Sequence, residues 1–406
     1  MSAYLSEFSS LLLRWLHVVA AIAWIGESIY FVMLDNSLRP PQRQQEADQG
    51  VHGEMFAVHG GGFYHNRKFL TRAPQIGPEL HWSFWKAYTT WLSGFALFAV
   101  IYLASPQLYL INAQSPWEWA RSLSGMQAGT LAVGYLIVGW LAYDQLCRRI
   151  SPNMQRDGIL SLAVAVLMIV IAWSTSQIFP GRAAFLITAA VMATAMSANV
   201  FFWIIPGQRR MVRALTSGTQ PDPLDGSRGK QRSVHNTYFT LPVVLLMLSN
   251  HYAFLYRAPY NWLVMSLFIL SGALIRQYFV QRHSKTQHWG YIVFGVALIV
   301  VAAWFARPGQ DQASTTATDT ASASQETADL AQVKAVIGQR CIQCHAARPS
   351  MDGFSSPPAG IELETSGQLT QQADTIKRVV ADNTMPLGNV TGMTASERDI
   401  IAAWQP

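Results

Sequence analysis

Two cysteines three positions apart, with a histidine directly after the second, stand in Cys341-Ile342-Gln343-Cys344-His345. Each thiol can add to a haem vinyl group, and the adjacent imidazole then reaches the iron from the same turn, so the box reads as c-type haem attachment. A zinc half-site would need a second Cys or His pair nearby, and the one remaining cysteine, Cys147, lies far upstream. A redox dithiol would need a βαβ setting that the sequence lacks. Met385, in Asn383-Thr384-Met385-Pro386-Leu387-Gly388, offers a thioether as the second axial ligand opposite His345, with Met351 and Met393 as rivals. One covalent haem c makes this chain an electron carrier.

A second set of residues puts charge or imidazole inside long apolar runs, where either is costly. His17 lies roughly 10 Å below the outer end of the first run and His251 roughly 8 Å short of the outer end of the sixth, at 1.5 Å per helical residue. Two imidazoles at equal depth on different helices are the arrangement that holds a b-type haem, so His17 and His251 are candidate ligands of a possible haem b. Hydrogen bonding to a neighbouring helix is the simpler alternative. Glu27, Lys86, Tyr143, Asp144 and Arg276 gather towards the other side. Lys86, Asp144 and Arg276 stand at helix ends, where side chains reach the interface, but Glu27 is too deep for that. Ahead of Lys86 runs Val51 to Phe69, VHGEMFAVHGGGFYHNRKF, whose alternating pattern around three glycines reads as a β-hairpin, followed by His81-Trp82. Its histidines with Glu54 fit no standard metal spacing.

The elements that must position these residues are mostly membrane helices. The chain is 50% hydrophobic and 13% charged, the composition of a polytopic membrane protein. The spacing predicts an all-α fold: eight spanning helices near residues 10–34, 85–104, 125–146, 158–179, 183–205, 237–256, 262–279 and 289–305, plus a small class I cytochrome c domain. The second, fourth and sixth loops hold only Arg121, Arg182 and Arg257, whereas the odd loops are rich in Lys and Arg. The odd loops are therefore cytoplasmic and both termini periplasmic, the side on which c-type haem is attached in a bacterial inner membrane. The net charge of +6 records this loop bias, and no basic stripe with interleaved aromatics points to nucleic acid. Arg14 and His17 interrupt the first apolar run, so it reads as a helix and not a signal peptide. Residues 1–306 form the membrane domain. Residues 307–327, rich in Ala, Ser and Thr, form a tether with a reach of about 25 Å. Residues 328–406 form the cytochrome, framed by a helix at 328–340 and by a second one entered through a Thr394/Glu397 capping box. Cys147 faces the reducing side and is expected to stay free.

The segment Ser9 to Pro41, SSLLLRWLHVVAAIAWIGESIYFVMLDNSLRPP, together with EMFAVHGGGFYHNRKF, eight helices and a C-terminal cytochrome c, resembles the bacterial integral-membrane, cytochrome-c-dependent urate oxidase. The match of Arg14-x-x-His17 with Trp24-Ile25-Gly26 is less specific, being similar also to the membrane protoporphyrinogen oxidase. The resemblance implies oxidation of urate with water to 5-hydroxyisourate, electrons passing to the fused cytochrome and on to a respiratory oxidase or soluble cytochrome. The residues suggest a site for such an anion: Arg67, Lys68 and Arg276 to hold it, Phe63 and Tyr64 against its ring, His59, His65 or His81 as base, and Glu27 as a further catalytic carboxylate. A quinol–cytochrome c electron-transfer subunit is the leading alternative, and a transport or copper-handling protein is a third.

Overall fold

A computed structural model of the chain describes residues 2–70, 77, 79–112, 114–281, 288–307, 329–351, 354, 357–358 and 361–405. The tether at 308–327 and Ala328 lie outside the described residues. In chain order the elements are α1 (Ser2–Ser37), α2 (Gln44–Asp48), β1 (Val51–His59), β2 (Gly62–Phe69), α3 (Trp85–Phe98), α4 (Pro106–Tyr109), α5 (Glu118–Arg121), α6 (Gly125–Ile150), α7 (Asp157–Ile178), α8 (Gly181–Ala198), α9 (Ile205–Thr216) and α10 (Pro223–Leu248). They continue with α11 (Ala253–Tyr256), α12 (Asn261–Gln281), α13 (Gly290–Ala306), α14 (Leu330–Arg340), α15 (Ile342–His345), α16 (Ser366–Gln371), α17 (Ala373–Ala381) and α18 (Ala395–Ala403).

Helices lie at all eight predicted positions, and five of the described helical segments are long and apolar enough to cross a membrane: Phe8–Ser37, Gly125–Ile150, Asp157–Ile178, Gly181–Thr216 and Asn261–Gln281. At the centre is α8. Its sequence, GRAAFLITAAVMATAMSA, is rich in alanine, and small side chains let neighbouring backbones approach closely. It packs on α6, α7 and α10, burying Phe185, Ile187 and Met192 completely. Gly181, at its start, faces the Tyr256 carbonyl so closely that a Cβ would lie 2.0 Å from it. By contrast α1 packs chiefly on α3 and turns Leu11, Trp15 and Ile22 outward, with Trp15 68% exposed.

Two boundaries differ from expectation. The sixth helix starts at Pro223, not near Thr237: Asp222 caps it by accepting from the Leu224 N–H, and proline occupies its first turn. Its first half is polar, and a hydropathy reading takes such a stretch for loop. The same helix ends at Leu248, so His251 lies in a 3-10 turn, Ser249–His251, beyond the helix end, where it is exposed. Both α3 and α8 end in π-helical turns, Ala99–Leu103 and Asn199–Ile204.

The hairpin is antiparallel, pairing Glu54 with Arg67, Phe56 with His65 and His59 with Gly62. Its two-residue loop needs positive φ at both positions, and Gly60 and Gly61 supply 60° and 79°. Arg39, just past α1, exchanges backbone hydrogen bonds with Glu54 and ties the hairpin to that helix. Helices α14 to α18 bury a separate cluster that includes Val333, Ile337, Leu369, Ile376, Ile401 and Trp404. The Thr394/Glu397 capping box is formed.

Candidate functional site

The Cys-x-x-Cys-His box closes one helical turn. The N–H of Cys344 and that of His345 both donate to the Cys341 carbonyl, at 3.1 and 2.9 Å, which brings two thiols and an imidazole together. Nδ1 of His345 donates to the Ile361 carbonyl at 2.9 Å, which leaves the Nε2 lone pair for a metal. Burial pushes the Cys341 thiol up to about 12 and raises Cys344 too. Two thiols and an imidazole on one turn are the donor set that covalent haem attachment would use. Met385 is half-buried in a loop whose backbone is held at both ends, its N–H by Val379 and its carbonyl by Arg398. Its rival Met393 is 3% exposed and packs in the local core. Met351, half-buried, donates its N–H to the Gln343 carbonyl. Among the described residues, no three His, Cys, Asp or Glu side chains come together to hold an ion; a haem iron asks the chain only for one imidazole and one sulfur.

His17 lies against α3. Its Nδ1 donates to the Thr90 carbonyl at 2.9 Å and reaches Ser93 Oγ at 3.2 Å, leaving Nε2 free to accept or to ligate. Glu27 accepts from Lys86 at 2.8 Å and from the Ser83 hydroxyl, so the deep carboxylate is paired across to the start of α3. In the hairpin, Arg67 is bound to Glu46 and Lys68 to Asp35, each at 2.6 Å. His65 bonds Glu54 at 2.7 Å and stacks on Phe56. The Glu54 carboxyl is held below its ordinary value by the Gln42 N–H and by His65. Phe63 is 81% exposed at the hairpin tip, and Tyr64, His59 and His81 are exposed as well. None of these hairpin residues lines either of the clefts described next.

The convergence of polar groups lies deeper, among α6, the π turn after α8, and the polar half of α10. Asp144 is its hub. It accepts hydrogen bonds from Arg232 and Trp203, both at 2.8 Å, and pairs with Arg148 at 2.6 Å. Trp203 has the Arg148 and Arg232 guanidiniums 4.9 and 4.8 Å from its ring centroid. The neighbouring Tyr143 hydroxyl accepts from Asn199 at 2.9 Å and shares a 2.8 Å bond with Nδ1 of His235. Asn199 and Trp203 both sit in the π turn, whose extra residue per turn aims the two side chains at α6 and α10 together. Asp144, Arg232 and Asn199 are at most 3% exposed.

Two clefts open beside this network. One, of about 230 Å³, is lined by Cys147, Arg148, Ser151, Pro152, Trp203, Arg228, Gln231 and Arg232. Three guanidiniums line it against two carboxylates beside it, Asp144 and, behind Ser151 and Gln231, Asp157, which leaves it cationic. The other, about 260 Å³, holds Asp157, Lys230, His235 and Tyr238. Gln231, donating to Asp157 at 2.7 Å and to the Ser151 carbonyl, is the wall between them. Arg276 is buried on α12 within electrostatic reach of Tyr238. Sequence reading missed Arg232 and His235 because it placed them in a loop. The usable signal was the Asp222-Pro223 helix start, after which Arg228, Gln231, Arg232 and His235 fall on one helical face.

The Arg209 guanidinium lies 5.8 Å from the ring centroids of both Trp82 and Phe84, so the segment after the hairpin and α9 share a side. The chain is thus a helical protein with membrane-capable helices and an arginine- and tryptophan-lined cleft at one end. Residues 3–307 match the urate oxidase N-terminal family, and the chain belongs to it. No curated protein matches the chain, and no solved structure does.

Proposed function

We propose that this chain is a bacterial inner-membrane urate oxidase, spanning the bilayer eight times and passing the electrons to its own c-type haem on the outer side. The observation that carries the reading is the cationic cleft of Arg148, Arg228, Arg232 and Trp203 in a chain of the urate oxidase N-terminal family. Urate near neutral pH is a flat monoanion edged by carbonyl oxygens and ring N–H groups. Guanidinium forks match those oxygens in geometry and charge, and an indole face matches the ring. Asp144 already accepts two hydrogen bonds and pairs with Arg148, so it holds the arginines in place and is no free base.

Oxidation to 5-hydroxyisourate takes one water, and releases two electrons and two protons. His235, bonded to the Tyr143 hydroxyl, is the imidazole of the network; burial and the neighbouring Arg232 charge push its pKa down to about 4, so it stays neutral and orients the Tyr143 hydroxyl. Cys341 and Cys344 would attach the haem and His345 and Met385 would ligate it; when bound it supplies one-electron acceptance, so the electrons of urate leave in sequence. The hairpin residues His59, His65, Phe63, Tyr64, Arg67 and Lys68 and the nearby His81 belong to the cytoplasmic approach in this reading, and Glu27 with Lys86 braces it. The exposed apolar faces of α1, α7 and α13 support the membrane setting, since water would not tolerate so much contiguous apolar surface.

The test is the absorbance of purified full-length protein under nitrogen. Urate should produce the reduced c-type spectrum and 5-hydroxyisourate. Reduction by a quinol with none by urate would make the protein an electron-transfer subunit instead.

A further inference from the structure

The C-terminal helices touch the bundle at the end opposite the arginine cleft. Asp382 lies 3.6 Å from Arg257, and the Leu387–Asn389 turn rests on α4, where a Cβ on Gly388 would meet the Leu108 carbonyl at 3.4 Å. This turn directly follows Met385. Beneath α4 a column of aromatic rings descends α3: Tyr109 to Tyr102 at 5.1 Å, Tyr102 to Phe98 at 5.7 Å, Phe98 to Phe95 at 6.4 Å and Phe95 to Trp91 at 5.4 Å. The top of the column is fixed in place. The Tyr102 hydroxyl donates to Asn250, which also accepts from Arg182, whose guanidinium lies 5.6 Å from the Tyr109 ring centroid.

We propose that the surface formed by α4 and Arg257 is the docking site at which the chain's own haem-bearing domain collects electrons, with the aromatic column leading to it. Electron tunnelling falls off steeply with each gap between packed groups, and rings in contact keep the gaps short. The electron source rests on the urate reading; the docking does not. In each transfer the purine would give up one electron to the haem that Cys341 and Cys344 would attach and that His345 and Met385 would hold, and the purine's protons would leave at the arginine end. One partly exposed ion pair binds weakly, but the tether keeps the local concentration of the domain high. A weak contact also lets the domain leave and pass its electron outward.

The test uses the full-length holoprotein. Arg257→Glu and Asp382→Arg should each slow urate-driven haem reduction roughly fivefold, the scale of one such pair, and the double variant should recover the rate. Dithionite reduction should be the same in all. A second readout needs no urate: Arg257→Cys with Asp382→Cys, treated with a short bis-maleimide and then cut at a protease site built into 308–327, should leave the two halves joined on a denaturing gel. Arg257→Cys with Lys334→Cys should not. Equal cross-linking of both pairs, or no recovery in the double variant, would overturn the docking site. Selective cross-linking in a protein that urate fails to reduce would uphold the docking and overturn the urate reading.

Discussion

In the protein interior Asp144 and the Trp203 ring take the place of the water that the Arg232 guanidinium gives up. Asp144 would keep Arg148 and the Trp203 N–H, so Arg232→Gln should cost about 2 kcal/mol, less than a fully stranded buried charge, read as a drop in the thermal midpoint in detergent. Arg228 lines the same cleft without an ion-pair partner among the described residues. Arg228→Gln should therefore raise the urate KM about tenfold, or 1.4 kcal/mol, and leave the midpoint alone. Arg67→Gln and Lys68→Gln should change KM by less than about twofold, because both side chains are already spent on exposed pairs with Glu46 and Asp35. A KM that moves with Arg67 and not with Arg228 would return the site to the hairpin. At this scale the Cys341–His345 turn was legible, since two cysteines and a histidine at that spacing close on themselves locally. His235 was not, because its importance comes from Tyr143, ninety-two residues away.

Among the elements, the capping box at the start of α18 makes a prediction about acid. The Glu397 carboxyl is held below its ordinary 4.5, first by the Thr394 N–H and then by Arg340. A carboxyl lowered on folding stabilises the fold above its unfolded value, and that contribution is lost as pH falls through the folded value. Glu397→Gln should thus flatten the acid side of the C-terminal domain's stability, below pH 4.5, with little change in slope near neutrality; Soret circular dichroism during acid titration measures it. The first helix makes a second prediction. His17 presents a ligand-competent Nε2, so His17→Ala should lower any b-type haem signal in a pyridine haemochrome assay and leave the c-type signal intact. An unchanged spectrum would make His17 a packing residue that fastens α1 to α3. Helix existence and the hairpin followed from apolar runs and the glycine turn. The start of α10 did not, because a polar half-helix inside a bundle looks like a loop until its partners are known.

For the whole molecule the two ends are chemically distinct: guanidiniums and indole at one, the Met385 loop and Arg257 at the other. Electrons from urate should therefore cross the bilayer outward. In sealed inverted vesicles added urate should reduce the c-type haem at once. In right-side-out vesicles without a urate transporter, reduction should wait until the membrane is permeabilised. Immediate reduction in sealed right-side-out vesicles would put the purine site on the outer side.

By itself the sequence determined whatever depends on neighbours along the chain. The Cys341–His345 turn, the hairpin with its Gly60-Gly61 turn, the Thr394 cap and the positions of the long apolar helices are all of this kind, because residue spacing, φ preference and hydropathy are local properties. The tertiary structure decided which polar residues meet. A π turn after α8 turns Asn199 and Trp203 towards Asp144 and Arg232, and the packing of α10 on α8 carries His235 to Tyr143. No window of sequence contains that information, since a buried charge is tolerated only where helices distant in the chain bring its partners.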